Sequence, residues 1–345
     1  MTRALRIIDV AEGAFLVEFP ELSEEEANRS AVAAARQLTA RRPAGFLDAV
    51  PGACTLLVEF DPENANRLRL AEAIEEAMVP EAGASGRRVL RLPVFYDADP
   101  EVGPDLAELA RGASLSVEEF SRRHSAGEYR VAFLGFAPGF AYLSGLAPEL
   151  QASRLSTPRT RVPAGGVGIG AAYTGIYPGA TPGGWRLIGL SPVRLFDARR
   201  DPPTLLLPGD RVRFDPIGRA DYEERRASAG PGQPEAEAAA ASDGPAVFRV
   251  AVPGVLTSVQ GAPRRGWGIY GVPSGGAMDI EGLAAGNETA GNPPLAPALE
   301  MTLVGPELEV LSEAEIALSP GADEATLNGR PIAAGRAARV AAGDH

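Results

Sequence analysis

Between Val162 and Trp185 the chain reads VPAGGVGIGAAYTGIYPGATPGGW, and this run limits the fold more than any other. Pro178 and Pro182 exclude a helix over its second half, because proline lacks an N–H and its ring collides with the preceding turn. Gly175, Gly179, Gly183 and Gly184 weaken a helix there further, since each would lose more backbone freedom than any other residue. Gly166, Gly168 and Ala171 do fit the G-x-G-x-x-G/A spacing of a dinucleotide-binding turn. Such a turn must open a helix, on whose N-terminus the pyrophosphate rests, and needs an acidic residue about 20 positions on. The prolines forbid that helix, and RLIGLSPVRL, which fills the later position, contains no acid. The run is therefore read as glycine-rich strand, where backbone packs closely on backbone or on a ligand.

Its surroundings have the same texture. From residue 126 the pieces EYRVAFLGF, WRLIGLSPVRLF and DRVRFDPI are short and strand-like, separated by Gly/Pro turns, which predicts a β-barrel. Upstream, strands and helices alternate. LRIIDVAEGAFLVEF reads as two strands around a Gly turn, and Ser23 followed by Glu26 is a capping box opening an Ala-rich helix. GACTLLVEFDP is a strand, and NRLRLAEAIEEAMV a helix with Leu68, Leu70, Ile74 and Met78 on one face. RRVLRLPVFYD returns as a strand of the same small domain. Two short helices follow over 101–125, the second with its own capping box at Ser116 and Glu119. Residues 223–246 lack apolar period and read as a linker. The predicted organisation is α+β then all-β: a small α/β domain over 1–95 with a mostly antiparallel sheet, a β-barrel domain over 96–222, the linker, and part of a further β module over 247–345.

Composition excludes several functions. The formal charge of −12 disfavours nucleic acid, and all 33 basic residues are arginine. Without lysine the chain cannot form a Schiff base, build a Walker A loop or carry biotin. The single cysteine, Cys54, rules out an internal disulfide and is expected to be buried in its strand. The two histidines, His124 and His345, are too few for a His-rich metal site. No apolar stretch reaches the ~18 residues of a membrane span and no signal peptide opens the chain, so a soluble, cytoplasmic protein is expected, with no membrane partner.

Three ordered stretches carry a family resemblance: HSAGEYRVAFLGFAPGFAYLSGL, TPRTRVPAGGVGIGAAYTGIYPGATPGGWRLIGLSPVRLFD and LLLPGDRVRF. They resemble the B subunit of 5-oxoprolinase, a family formerly labelled allophanate hydrolase subunit 1, which is also similar to an inhibitor of a sporulation histidine kinase. VLTSVQGAPRRGWGIYGVPSGGAMD and NPPLAPALEMTLVGPELEV resemble the beginning of the C subunit, so the whole resembles a B–C fusion with an incomplete C part. Gly261 and Pro263 stand where that family usually has Asp-x-Gly, and its proline motif here reads GVPSGGAMD.

The resemblance implies a cyclophilin-like barrel and a second related barrel. It also implies an ATP-dependent opening of 5-oxoproline to glutamate, shared with a separate A subunit, with ATP and Mg²⁺ as cofactors. Two alternatives are a protein that docks on a histidine kinase, and a carboxyltransferase module of a urea-carboxylase-like system. A phosphate- and carboxylate-binding site without lysine must use arginine. Arg159 and Arg161 are therefore candidate catalytic residues, with His124 as acid–base. Gly165, Gly166 and Gly168 are candidate anion-binding N–H groups, and Phe136, Phe140, Tyr142 and Tyr177 candidate pocket walls. In the C part Ser274, Asp279 and Glu300 are candidate binding residues, and no carboxylate cluster identifies a metal site.

Overall fold

The structure, a computed structural model, describes residues 5–78, 88–228, 246–319 and 325–345. It divides into two compact units, one of Met1–Ala236 with Arg265–Pro273 and the other of Glu237–Arg264 with Ser274–His345.

The first unit begins with β1 (Arg6–Ala11), β2 (Ala14–Glu18), α1 (Glu24–Arg41), β3 (Phe46–Pro51), β4 (Thr55–Phe60) and α2 (Arg67–Ala77). The strands form one antiparallel sheet in the order β1-β2-β4-β3. The capping box forms as the sequence dictates: the Ser23 hydroxyl accepts from the Glu26 N–H, and the Glu26 carboxylate accepts from the Ser23 N–H. Small residues Ala27, Ala31, Ala34 and Ala35 let α1 lie close on the sheet, where Phe15, Val17, Leu56 and Val58 alternate inward. On α2, Leu70 and Ile74 are buried but Leu68 is 79% exposed. Two residues of helix turn the face by about 200°, so Leu68 cannot share a face with Leu70.

The barrel is built from β5 (Val89–Tyr96), β6 (Tyr129–Leu134), β7 (Ala141–Ser144), β9 (Gly166–Gly170), β10 (Tyr173–Ile176), β12 (Arg186–Leu190) and β13 (Arg211–Pro216). It closes in the order β10-β7-β6-β13-β5-β12-β9. Two further strands, β8 (Arg159–Val162) and β11 (Thr181–Gly183), pair as a separate ribbon. The strand β5, expected in the first domain, belongs to the barrel: it runs parallel to β13 from Val89↔Arg211 to Val94↔Pro216. Inward residues Val94, Val131, Leu143, Val167, Ile169, Ile188, Val212 and Phe214 fill the barrel core. Each contributes roughly 1.5–3 kcal/mol by burial. The helices α3 (Leu106–Gly112) and α4 (Val117–Ala126) add Leu106 and Phe120 to the same core.

A final helix, α5 (Arg219–Ser228), takes up residues that the sequence assigns to the linker, and 229–245 lie outside the described residues. Its Tyr222 stacks on Phe95, which keeps the helix on the barrel. The α/β layer is tied to the barrel by buried Asn28, whose amide donates to the carbonyls of Gly52 (2.7 Å) and Ala132 (3.1 Å) while its oxygen accepts from Arg130 (2.6 Å).

The second unit holds β14 (Phe248–Val252), β15 (Leu256–Gln260), α6 (Ile280–Thr289), β16 (Ala298–Thr302), β17 (Glu307–Val310), β18 (Ala314–Ala317), β19 (Thr326–Leu327), β20 (Arg330–Pro331) and β21 (Ala337–Val340). They pair two by two, β14–β17, β15–β16, β18–β21 and β19–β20, and close no barrel among the described residues. Val310 and Val340 are buried, whereas Leu256, Val259, Leu299 and Met301 on the β15–β16 pair are exposed.

Candidate functional site

The glycine run forms the barrel wall. All five residues of β9, Gly166–Gly170, are buried between β12 and β10. The absence of side chains makes room for Trp185: a Cβ on Gly170 would stand 2.5 Å from its indole nitrogen. Gly165 turns the chain into β9 at φ +82°, and a Cβ there would lie 2.2 Å from the Ser191 carbonyl oxygen. Its N–H donates to the Tyr177 carbonyl (2.8 Å), and the Gly166 N–H to that of Pro163 (3.1 Å). Gly168 pairs with both Gly175 and Leu187. The N–H groups of Gly165 and Gly166, expected to cradle an anion, are thus committed to the fold.

His124 is also interior. It sits in the last turn of α4, is 0% exposed, and its ring stacks on Phe214 at 5.0 Å. The hydroxyl of Thr174 donates to the Gly168 carbonyl (2.9 Å), so it accepts from His124 Nε2–H (2.9 Å). That leaves Nδ1 unprotonated, accepting from the Tyr96 hydroxyl (2.8 Å). The relay Tyr96–His124–Thr174–Gly168 requires a neutral ring, and burial drives the His124 pKa down to about 3. The expected acid–base role does not suit a group held neutral in the core without solvent contact.

The ribbon β8–β11 carries the arginines. Arg159 donates to Asp105 at 2.9 Å, and its guanidinium also reaches the Trp185 carbonyl (3.4 Å). Asp105 precedes α3 without capping it; its carboxylate instead accepts from the Leu187 N–H (2.7 Å) and lies 3.7 Å from Arg186. Arg159 therefore joins the ribbon to the barrel wall through a buried carboxylate. Arg161 is exposed on the same strand.

The aromatic candidates divide into core and surface. Phe140 and Tyr177 are buried, and with Trp185 and half-buried Tyr142 they form an edge-to-face cluster with centroids 5.1–5.4 Å apart. Phe136 differs: it is 59% exposed, yet its ring meets Phe140 and Tyr177 edge-on, and its backbone stands at φ +71°. A bulky residue there is strained, and strain of this kind gathers at functional sites. Burial raises the Tyr177 hydroxyl pKa, while the Trp185 backbone N–H and the guanidiniums of Arg154 and Arg159 pull it back. Arg154 also bears on the Tyr142 hydroxyl. It is exposed, and among the described residues no carboxylate lies within ion-pair distance of it. No motif in QASRLSTP marks Arg154; only the fold reveals it.

The site so assembled consists of Arg154, Phe136 and the edge of Tyr177, an arginine–aromatic rim. Arg suits a carboxylate or phosphate, and Phe136 offers a flat apolar face.

In the second unit, Asp279 caps α6 by accepting from the Gly282 N–H (2.8 Å). Glu300 accepts from the Met278 N–H (2.7 Å), and the Ser274 carbonyl accepts from the Arg264 N–H (2.7 Å). The hydrogen bonds of all three shape turns. Among the described residues, no cluster of three or more His, Cys, Asp or Glu could hold a metal, and no helix is long and apolar enough to cross a membrane.

Residues 5–206 match the family described as carboxyltransferase domain, subdomain C and D, and residues 270–345 the family described as carboxyltransferase domain, subdomain A and B. The chain is 39% identical over 240 residues to the 5-oxoprolinase B subunit of Bacillus subtilis, covering 64% of this chain and 97% of that protein. The solved structure of TTHA0988 superposes with a TM-score of 0.77 at 36% identity over 96% of this chain. This chain spans 64% of that protein's length. A 102-residue stretch is 40% identical to the urea amidolyase of Lachancea kluyveri, covering 6% of that protein.

Proposed function

The chain belongs to the carboxyltransferase subdomain C and D family, and from that premise we propose that it is a component of a 5-oxoprolinase. One observation carries this reading: the Bacillus subtilis relative, named as the B subunit of 5-oxoprolinase, is matched over 97% of its length. The arginine–aromatic rim supports it. 5-Oxoproline is a small lactam bearing one carboxylate. Arg154 takes the carboxylate as a charge-assisted pair, and Phe136 covers one face of the ring. ATP supplies the driving force for an unfavourable ring opening by phosphoryl transfer to the lactam oxygen, and hydrolysis to glutamate is finished by a separate A subunit. Mg²⁺ would come bound to the phosphates of the nucleotide.

The test is ADP release dependent on 5-oxoproline, with and without an A subunit, in wild type and Arg154→Ala. The expected result is turnover with the A subunit, and a KM for 5-oxoproline raised at least tenfold in the variant. No 5-oxoproline-dependent ADP in either mixture overturns the proposal. In that event the exposed Phe136 is better explained by docking on a protein such as a histidine kinase. The stretch similar to urea amidolyase favours a second reading, a carboxyltransferase module. Because the chain has no lysine, biotin would have to arrive on another protein. Carboxyl transfer from a separate carboxybiotin carrier tests that reading directly.

A further inference from the structure

The first unit is discontinuous in sequence. Residues 265–273, RGWGIYGVP, come from beyond the segment 229–245, yet they are integrated into the unit that holds the barrel. Three contacts fix this strap. The Gly268 N–H donates to Oδ2 of Asp48 on β3 at 2.7 Å, and the Ile269 N–H also hydrogen-bonds that carboxyl. The Gly139 N–H donates to the Tyr270 carbonyl at 3.0 Å. Gly271 turns at φ +74°, so close to the 135–139 turn that a Cβ would meet the Ala137 carbonyl at 3.0 Å and the Gly135 nitrogen at 3.1 Å. Between these points a 3-10 turn, Gly268–Tyr270, tilts the rings of Trp267 and Tyr270 against each other.

Asp48 is 3% exposed, and its other oxygen accepts from its own neighbour, the Ala49 N–H, at 2.8 Å. A buried carboxylate in a sheet strand is strongly unfavourable unless it is hydrogen-bonded. The strap supplies much of that bonding. The Arg42 guanidinium also favours the charged Asp48 carboxylate, while its cross-strand partner is another acid, Glu59. The guanidinium of Arg265, at the start of the strap, offsets the charge of Glu59. Thus two acids on the sheet answer two kinds of donor on the strap, backbone N–H groups and one arginine.

We propose that Asp48, Glu59 and the 135–139 turn form a recognition surface for an Arg-x-Trp-Gly-Ile-Tyr-Gly strap, able to hold that strap when it belongs to a separate chain of subdomain A and B type. The occupant is argued from the molecule itself: this strap is seated there, and it directly precedes and enters the stretch matching subdomains A and B. The Bacillus subtilis relative, matched over nearly its whole length by 64% of this chain, is of a size to present the surface without the strap. The surface also touches the rim of the candidate site, because the turn that grips the strap carries Phe136.

The experiment uses the full chain with a protease recognition sequence inserted within 229–245. After cleavage the two fragments are expected to co-elute on gel filtration. A synthetic peptide of residues 262–276 is expected to displace the C-terminal fragment. Gly268→Val, whose side chain would meet Val50 and the Asp48 carboxylate, should weaken the retained complex at least tenfold. Asp48→Asn is the second variant: it keeps the shape but turns an acceptor for the Gly268 N–H into a donor. Because Gly268 lies on the strap and not in the core, its variant separates lost docking from lost folding. Fragments that part in the wild type, or that stay together equally in both variants, overturn the proposal. Neither outcome depends on 5-oxoproline turnover.

Discussion

Replacing His124 by glutamine tests the central claim about the barrel interior, that this ring is a neutral structural relay. In the folded chain its pKa is depressed to about 3, against about 6.5 in the unfolded chain. Between those values the unfolded state binds more protons, so stability is full above pH 6.5 and falls as the pH drops toward 3. Integrating the difference from pH 7 to pH 5 gives a loss of about 2 kcal/mol from this residue alone. Glutamine cannot titrate. It can still donate to Thr174, but it leaves the Tyr96 hydroxyl without its acceptor and removes the ring stacked on Phe214. The variant should lose about 2–4 kcal/mol at pH 7, while its stability changes less between pH 7 and 5 than that of the wild type, by about 2 kcal/mol. Urea unfolding of both proteins at the two pH values reads this difference, and common titrations of other groups cancel. The chain has two histidines, so NMR titration of the His124 ring is an independent check. Equal pH dependence in the two proteins, or a His124 ring that titrates near 6.5, would refute the relay.

Three further outcomes follow from the same geometry. Gly165→Ala combines a left-handed backbone with a Cβ 2.2 Å from the Ser191 carbonyl oxygen; it should cost about 2 kcal/mol or more in thermal or urea unfolding. Arg159→Ala strips a partner from buried Asp105 and should cost about 1–3 kcal/mol, whereas exposed Arg154→Ala should change stability by less than about 0.5 kcal/mol; calorimetry separates the structural arginine from the exposed one. Cys54 is exposed, not buried as its strand-like context implies, so a thiol reagent should modify one equivalent in the native protein without prior unfolding.

What the sequence could reveal follows from the range of the interactions involved. The helix starts at Ser23 and Ser116 were legible because a cap is made within four residues. The run from Val162 to Trp185 was legible as strand because proline and glycine act locally on φ and on hydrogen bonding. Membership of β5 was not, since it rests on a parallel pairing with β13 more than 100 residues away. Strand character is visible in VLRLPVFY; the neighbour is not. Cys54 was misplaced for a related reason: it stands one residue before β4, where the inward–outward alternation has not begun.

The site residues show the same limit more sharply, because their chemistry is assigned by the groups around them. His124 looked like an acid–base residue while it was the only internal histidine in a motif. Four elements then converge on it: Tyr96 from β5, Phe214 from β13, Thr174 from β10, and the Tyr129 hydroxyl of β6, which donates to the His124 carbonyl at 2.6 Å. Arg159, with Arg161, looked like a cation for an anionic ligand until Asp105, 54 residues earlier, was found against it. Arg154 was unremarkable in sequence and becomes the available cation only because its neighbours in space are the hydroxyls of Tyr142 and Tyr177 and no acid is in reach among the described residues. A residue type sets what a side chain is able to do. Which of two nearby arginines remains free for a ligand depends on where the fold has placed its carboxylates, and here the buried Asp105 takes Arg159 and leaves Arg154 to the rim.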